Sequence, residues 1–164
     1  MTSLTIQDWM NAMVSATNEL ASSSLGYENG LIGKLSDSPP CNFEGSCVAL
    51  IGDEDSIQIG IGATQSDCRE LARRLFGMEE GEEGELSEAD VADAMGEMAN
   101  VIAGGVKVRV ANDNSMSMNI GLPIILQGHI VIPNNCEIAE TTMQWQDVAV
   151  RLLLLRTNGA RMKQ

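Results

Sequence analysis

The sequence predicts an α+β protein with a largely antiparallel β-sheet and about three helices packed on it. Apolar residues recur at helical spacing near the N-terminus, whereas Ile57, Ile59 and Ile61 alternate along a strand-like segment. Strand patterns are grouped between helical ones, and the strand–helix–strand pattern of dinucleotide-binding folds is missing. With 164 residues, of which 44% are hydrophobic, the chain is expected to form a single domain over residues 1–164.

The N-terminal half is predicted to contain a helix, a pair of strands and a second helix. Its expected elements are a helix over 5–24 that ends near Gly26, an irregular or short-strand stretch over 31–40, strands over 46–51 and 56–62, and a helix over 65–77. Pro39 and Pro40 exclude a helix from the stretch that contains them. The GDEDS segment between the two strands is expected to form a hairpin turn.

The C-terminal half is predicted to contain one helix followed by strands. Ser87 and Asp90 form a pattern similar to a capping box, which favours a helix start near residue 88. Gly104 and Gly105 are expected to end that helix near residue 103. The strands expected after it lie near 106–111, 117–126, 128–133 and 136–156, the last one broken around 144–147.

The composition limits the compartment and the partners. A net charge of −13 disfavours nucleic acid and anionic membrane surfaces as partners. Four scattered cysteines without a CxxC pair, and an N-terminus without a secretory pattern, predict free thiols in the cytoplasm and no metal site. The acidic stretch over residues 79–90 is either a solvated loop or an element that steers a partner with a positive rim.

The pattern that points to function is Asp93, Glu97, Asn100 and, after 22 residues, Pro123. On a helix, positions 93, 97 and 100 share one stripe. The wheel places Met95, Met98, Ile102 and Val91 on the opposite, apolar face. The small neighbours of the polar stripe are Ala89, Gly96, Ala103 and Gly104, which would let a partner's backbone approach. A docking surface is the expected reason for Gly96, whereas helix termination explains Gly104.

The spacing Asp93-x3-Glu97-x2-Asn100-x22-Pro123 resembles the signature of the CheC/CheX/FliY phosphatases, which act on the phosphorylated chemotaxis response regulator CheY. The segments ARRLFGMEE and GEMANVIAGG are similar to sequences of the CheX branch, and the resemblance is most specific over about residues 70–126. It implies a CheX/CheC-like fold. It also implies that Glu97 pairs with the active-site lysine of the regulator, while Asn100 orients the water that attacks the phosphoryl-aspartate.

Further implications of the resemblance concern partners. Mg²⁺ is expected on the regulator, so this chain would bind no cofactor of its own. Asp93 and Pro123 would be supporting residues, and a homodimer is expected from the CheX branch. Members of the CheC branch carry a second motif on the first helix; here that copy has Ser15 and Glu19, but Ser22 and Gly45 replace the asparagine and proline. One active site per chain is therefore expected.

Two other functions remain open on the sequence, and one apparent motif is rejected. The chain could be a non-catalytic CheX-like adaptor that binds a regulator, or a plain dimerisation domain. Cys68-x5-Arg74 has the bare spacing of a cysteine phosphatase, but its residues fall in a helix-forming segment without a phosphate loop.

Overall fold

The computed structural model describes residues 3–28, 30–37, 42–114 and 116–158. Within these ranges the chain forms three α-helices and seven strands. The elements, in chain order, are α1 (Ile6–Leu20) with a π-helical turn (Ala21–Leu25), β1 (Leu31–Ile32), β2 (Phe43–Ile51), β3 (Asp55–Gly62), α2 (Gln65–Leu75), a 3₁₀ turn (Glu83–Glu85), α3 (Glu88–Asn114), β4 (Asn119–Ile120), β5 (Ile124–Gly128), β6 (Cys136–Trp145) and β7 (Val148–Asn158). The predicted α+β class is confirmed.

The strands form one sheet in which every described pairing is antiparallel. Its order is β1-β6-β7-β3-β2, and both β4 and β5 pair with the remaining edge of β2. The predicted hairpin of β2 with β3 is confirmed, and β6 pairs with β7 in the same way. Residues 121–123 separate β4 from β5 and lie beside α3, and the Gly121 amide still donates to the Ala49 carbonyl of β2.

The main core lies between one face of the sheet and the helices. Alternate residues of β3 and β7, such as Ile59 and Leu152, are fully buried together with helix residues such as Met13 and Met98. The composition predicts this aliphatic, methionine-rich core, although Trp9 is buried in it too. Since α1 and α3 both pack into this core, each leaves an outward face open to a partner.

The start of α3 is as predicted, but its end is not. The Ser87 hydroxyl accepts a hydrogen bond from the Asp90 amide at 3.1 Å, and the Asp90 carboxylate accepts one from the Ser87 amide at 3.0 Å. The helix then passes through Gly104 and Gly105 to Asn114, so the expected end near residue 103 and the strand over 106–111 are both wrong. A Cβ atom at Gly105 would lie 2.9 Å from that of Ala16. Gly105 thus allows α1 to approach α3 closely instead of ending the helix.

The strands after α3 differ in part from the prediction. The segment 117–126 forms two short strands separated by residues 121–123, not one strand. Residues 129–133, which belong to the described part of the chain, do not form the strand expected over 128–133. The last predicted strand is two strands with a turn at residues 146–147, as expected.

The remaining expectations for the N-terminal half hold where the structure describes the chain. The first helix runs to Leu25 if its last, π-helical turn is included, and Gly26 follows it with a φ of 72°. Helix α2 lies within the predicted range. The expected short strand is limited to β1, while Pro39, Pro40 and Cys41 lie outside the described residues.

Candidate functional site

The polar stripe of α3 faces outward, as the helical wheel predicts. Asp93 and Glu97 are exposed and Asn100 is half-buried. On the opposite side of the helix, Met98 and Ile102 are fully buried in the main core. A helix fixed by its apolar side therefore presents a carboxylate and a carboxamide one turn apart, about 5–6 Å between Cβ atoms.

The side chains of Glu97 and Asn100 have no hydrogen-bond or ion-pair partner among the residues that the structure describes. Glu97 is exposed to solvent and is available as an acceptor for a cation. Asn100 offers one carbonyl acceptor and two N–H donors. Together they can bind a positive group and orient a water molecule beside it.

Gly96 is buried, so the expectation that it lies on an open docking face is wrong. A Cβ atom at Gly96 would lie 3.3 Å from Cβ of Pro123 and 3.8 Å from Oγ of Ser46. The Ser46 hydroxyl donates to the Ile124 carbonyl at 3.0 Å. The glycine therefore makes room for the proline, and the four-position pattern brings Pro123 against the helix beside the polar stripe.

The other small residues of this face fall into two groups. Ala103 is buried in the core, which corrects its expected outward position. Gly104 is half-buried inside the helix, and the nearest heavy atom to its Cβ position is Cδ1 of Ile120 at 4.0 Å. Ala89 is exposed. The accessible part of the face thus consists of the polar stripe and its exposed neighbours, not of a continuous band of small residues.

On α1, the degenerate copy of the motif is paired with an arginine of the same chain. Arg109 of α3 forms an ion pair with the Glu19 carboxylate at 2.5 Å and donates to the Ser15 hydroxyl at 3.1 Å. The Ser22 hydroxyl donates to the carbonyl of Glu19. No local sequence pattern indicated Arg109, because 90 residues separate it from its carboxylate partner. Its presence distinguishes the two glutamates: Glu19 is paired, and Glu97 is free to pair.

The acidic loop over residues 79–90 is held to α2 by arginines. Arg69 donates to the carbonyls of Glu83 and Leu86 at 3.3 and 2.7 Å, and Arg73 donates to that of Met78 at 2.8 Å. These bonds use the loop's backbone and leave many of its carboxylates in solvent. The loop therefore presents negative charge next to the N-terminal end of α3.

Cys68 cannot serve as a phosphatase nucleophile. It is buried in the second turn of α2, where burial raises the pKa of its thiol to about 11. A thiolate nucleophile needs a lowered pKa and a loop of amides around the phosphate. Arg74, the other residue of that spacing, pairs with Glu70 at 3.0 Å.

No group of three or more His, Cys, Asp or Glu side chains among the described residues could hold a metal ion. Likewise, none of the described helices combines the length and the apolar character needed to cross a membrane.

Comparison of the structure with solved structures identifies the fold. A CheC-like superfamily protein from Shewanella sp. PV-4 is similar with a TM-score of 0.75 at 15% identity, over 91% of this chain and 97% of that one. CheX from Desulfovibrio desulfuricans gives 0.72 at 15% identity, over 90% and 97%. The CheX–CheY–BeF3–Mg²⁺ complex from Borrelia burgdorferi gives 0.73 at 16% identity, over 92% and 98%.

Sequence comparison identifies the family. A search of curated proteins finds no match to this chain. The family described as chemotaxis phosphatase CheX, however, matches residues 45–142, which is more than half of the chain and includes the whole Asp93–Pro123 pattern. The match agrees with the resemblance predicted from that pattern, and the chain belongs to the CheX family.

Proposed function

We propose that this protein hydrolyses the phosphoryl-aspartate of a CheY-like response regulator. The observation that carries the proposal is the pair of unpartnered side chains, Glu97 and Asn100, on the outward stripe of α3. The paired Glu19 on α1 provides the contrast within the same molecule. A carboxylate without a partner beside a carboxamide suits a surface that receives a cation and a water molecule from another protein.

The proposed reaction needs no base or metal from this chain. Glu97 pairs with the lysine of the regulator's active site and seats α3 over the phosphoryl group. The Asn100 amide holds one water in line with the bond from phosphorus to the aspartate oxygen. The water oxygen attacks phosphorus, that bond breaks, and the products are inorganic phosphate and a free aspartate. Phosphoryl transfer depends mainly on positioning and charge neutralisation, and Mg²⁺ on the regulator supplies much of the latter.

The choice of CheY as partner rests on similarity to the CheX family. The Borrelia burgdorferi CheX structure with the same fold contains CheY, BeF3 and Mg²⁺. At 16% identity that likeness establishes the fold alone, so CheY as partner is part of our proposal. Asp93, exposed one turn before Glu97, is proposed to support the carboxylate that docks the regulator.

The test measures phosphate release from a phosphorylated CheY-family regulator, with and without the protein. Asn100→Ala should reduce kcat by at least about 100-fold but still bind, because misplacing the attacking water costs on that order. Glu97→Ala should weaken binding by about 2 kcal/mol or more, roughly 30-fold, because it removes one partner of a charge pair.

Glu19→Ala is the matched control. It removes a carboxylate from the equivalent helix position, but one that Arg109 already occupies, so turnover should stay at the wild-type level. Wild-type protein that accelerates phosphate release from no regulator would refute the enzyme. If it still binds a regulator, the adaptor function is favoured; if it only self-associates, the dimerisation domain is favoured.

Two further features belong to the proposal. The protein is expected in the cytoplasm, where its regulator would be found, and as a homodimer, as the CheX resemblance implies. Sedimentation velocity of the purified chain tests the oligomeric state, and a monomer at all concentrations would contradict it.

A further inference from the structure

A segment of the sheet edge runs along α3 beside the polar stripe. Cδ1 of Ile120 lies 4.0 Å from the Cβ position of Gly104, and Cβ of Pro123 lies 3.3 Å from that of Gly96. These contacts are two helical turns apart, so residues 120–123 border the same face of the helix as Glu97 and Asn100. Leu122, between the two contacts, has 86% of its surface exposed.

The segment is anchored on both sides of this exposed leucine. On one side, the Gly121 amide donates to the Ala49 carbonyl at 2.8 Å. On the other, the buried Ser46 hydroxyl donates to the Ile124 carbonyl at 3.0 Å, and Pro123 fixes the backbone between them. Hydrogen bonds between its neighbours and β2 therefore keep Leu122 in an exposed position. An apolar side chain presented in this way loses little conformational entropy when a partner covers it.

Helix α3 continues the apolar surface. Val101, the residue after Asn100, is 43% exposed, and Val108, two turns further along the same stripe, is 58% exposed. We call Val101, Val108, Ile120 and Leu122 the apolar rim. The N-terminal half of the face is acidic, with Glu97 and other exposed carboxylates, so the face is charged at one end and apolar at the other.

We propose that the apolar rim is a docking surface for the phosphorylated regulator, which would cover it with apolar side chains next to its active-site lysine. This inference rests on the proposed function. Val101 lies four residues after Glu97 and therefore on the same stripe of α3, while Leu122 lies between the contacts of Ile120 and Pro123 with that helix. A protein seated on Glu97 and Asn100 therefore reaches the rim. An apolar contact of this kind contributes affinity that is insensitive to salt, alongside the salt-sensitive pair at Glu97.

A second copy of this chain is a poorer occupant of the rim. The chain carries a net charge of −13, and Glu97 with Asp93 lies on the same face. Two copies packed through this face would set the acidic half of one against either the acidic or the apolar half of the other. Like-charge repulsion opposes the first arrangement, and burial of unpaired carboxylates opposes the second. The proposed regulator instead brings its active-site lysine to the acidic half of this face, where it would pair with Glu97.

The test compares Leu122→Ala and Val101→Ala with Val131→Ala. Val131 is 83% exposed and follows β5, so it belongs neither to α3 nor to residues 120–123. For each variant we would measure kcat and KM on the phosphorylated regulator, Kd for the beryllofluoride-bound regulator, and the sedimentation coefficient alone. Leu122→Ala should raise KM and Kd about tenfold with kcat within about twofold, Val101→Ala should raise them severalfold, and Val131→Ala should match wild type.

Each contrary outcome has a distinct meaning. Wild-type KM and Kd for Leu122→Ala would overturn the docking surface, while loss of turnover in Asn100→Ala would keep the proposed function intact. Equal effects of Leu122→Ala and Val131→Ala, or a loss of self-association in Leu122→Ala without weaker regulator binding, would also overturn it. Wild-type protein that neither binds nor dephosphorylates any regulator would overturn both proposals.

Discussion

The neighbouring glycines of α3 should respond in opposite ways to alanine. Gly104→Ala should stabilise the protein by up to about 1 kcal/mol, because alanine favours a helix interior and the new Cβ would meet only Ile120, at 4.0 Å. At Gly105 the new Cβ would lie 2.9 Å from Cβ of Ala16 and 3.1 Å from Nη1 of Arg109. Normal carbon contacts are about 3.5–4.0 Å, so α1 and α3 would have to separate. Such overpacking costs about 1–3 kcal/mol. The gain in helix propensity is common to both variants and cancels, so they should differ by that steric cost.

The assay is urea unfolding followed by circular dichroism, with the free energy taken by linear extrapolation and compared at equal m-values. The order of stability should be Gly104→Ala, then wild type, then Gly105→Ala. Equal stability of the two variants would refute the close packing of α1 on α3. A destabilising Gly104→Ala would refute the continuous helix, since a glycine that ends a helix in a left-handed conformation does not tolerate alanine.

Three further predictions concern the site and its surroundings. Gly96→Ala should stabilise the protein less than Gly104→Ala, and their unfolding free energies in urea should differ by a few tenths to about 1 kcal/mol. The added Cβ at Gly96 requires Pro123 to shift, whereas the added Cβ at Gly104 has room. The thiol of Cys68 should resist alkylation of the native protein at pH 8, as read by peptide mass spectrometry, since burial raises its pKa to about 11; rapid labelling would contradict this. The hydrogen bonds from Arg73 are the main cause that lowers the pKa of Glu70. The Glu70 carboxylate therefore stabilises the fold fully above its ordinary pKa of 4.5, and this stabilisation is lost as the pH falls through its lowered pKa. Glu70→Gln should therefore reduce the unfolding free energy by about 1 kcal/mol at pH 7 but progressively less below pH 4.5, and a pH-independent difference would contradict it.

Local signals predicted most of the fold, and they failed where packing between distant segments decided the outcome. Caps such as Ser87 with Asp90, and alternation such as that around Ile59, act over a few residues, so the sequence displays them directly. The valines at 106, 108 and 110 alternate as in a strand, but Val106 and Val110 are four apart, buried against the core, with Val108 exposed. That burial pattern belongs to a helix, and contact with α1 selects it over the strand propensity of valine.

The sequence by itself determined the candidate site as a stripe: Asp93, Glu97 and Asn100 share one face of a helix because helical periodicity dictates it. Tertiary structure decided what surrounds them. Pro123 packs on Gly96, which the sequence predicted to lie on an open surface. Arg109 forms an ion pair with Glu19, whereas Glu97 has no ion-pair partner among the described residues. Those contacts join residues tens of positions apart, and no local pattern records them. Which of two similar glutamates is available to a partner is therefore settled only when the chain folds.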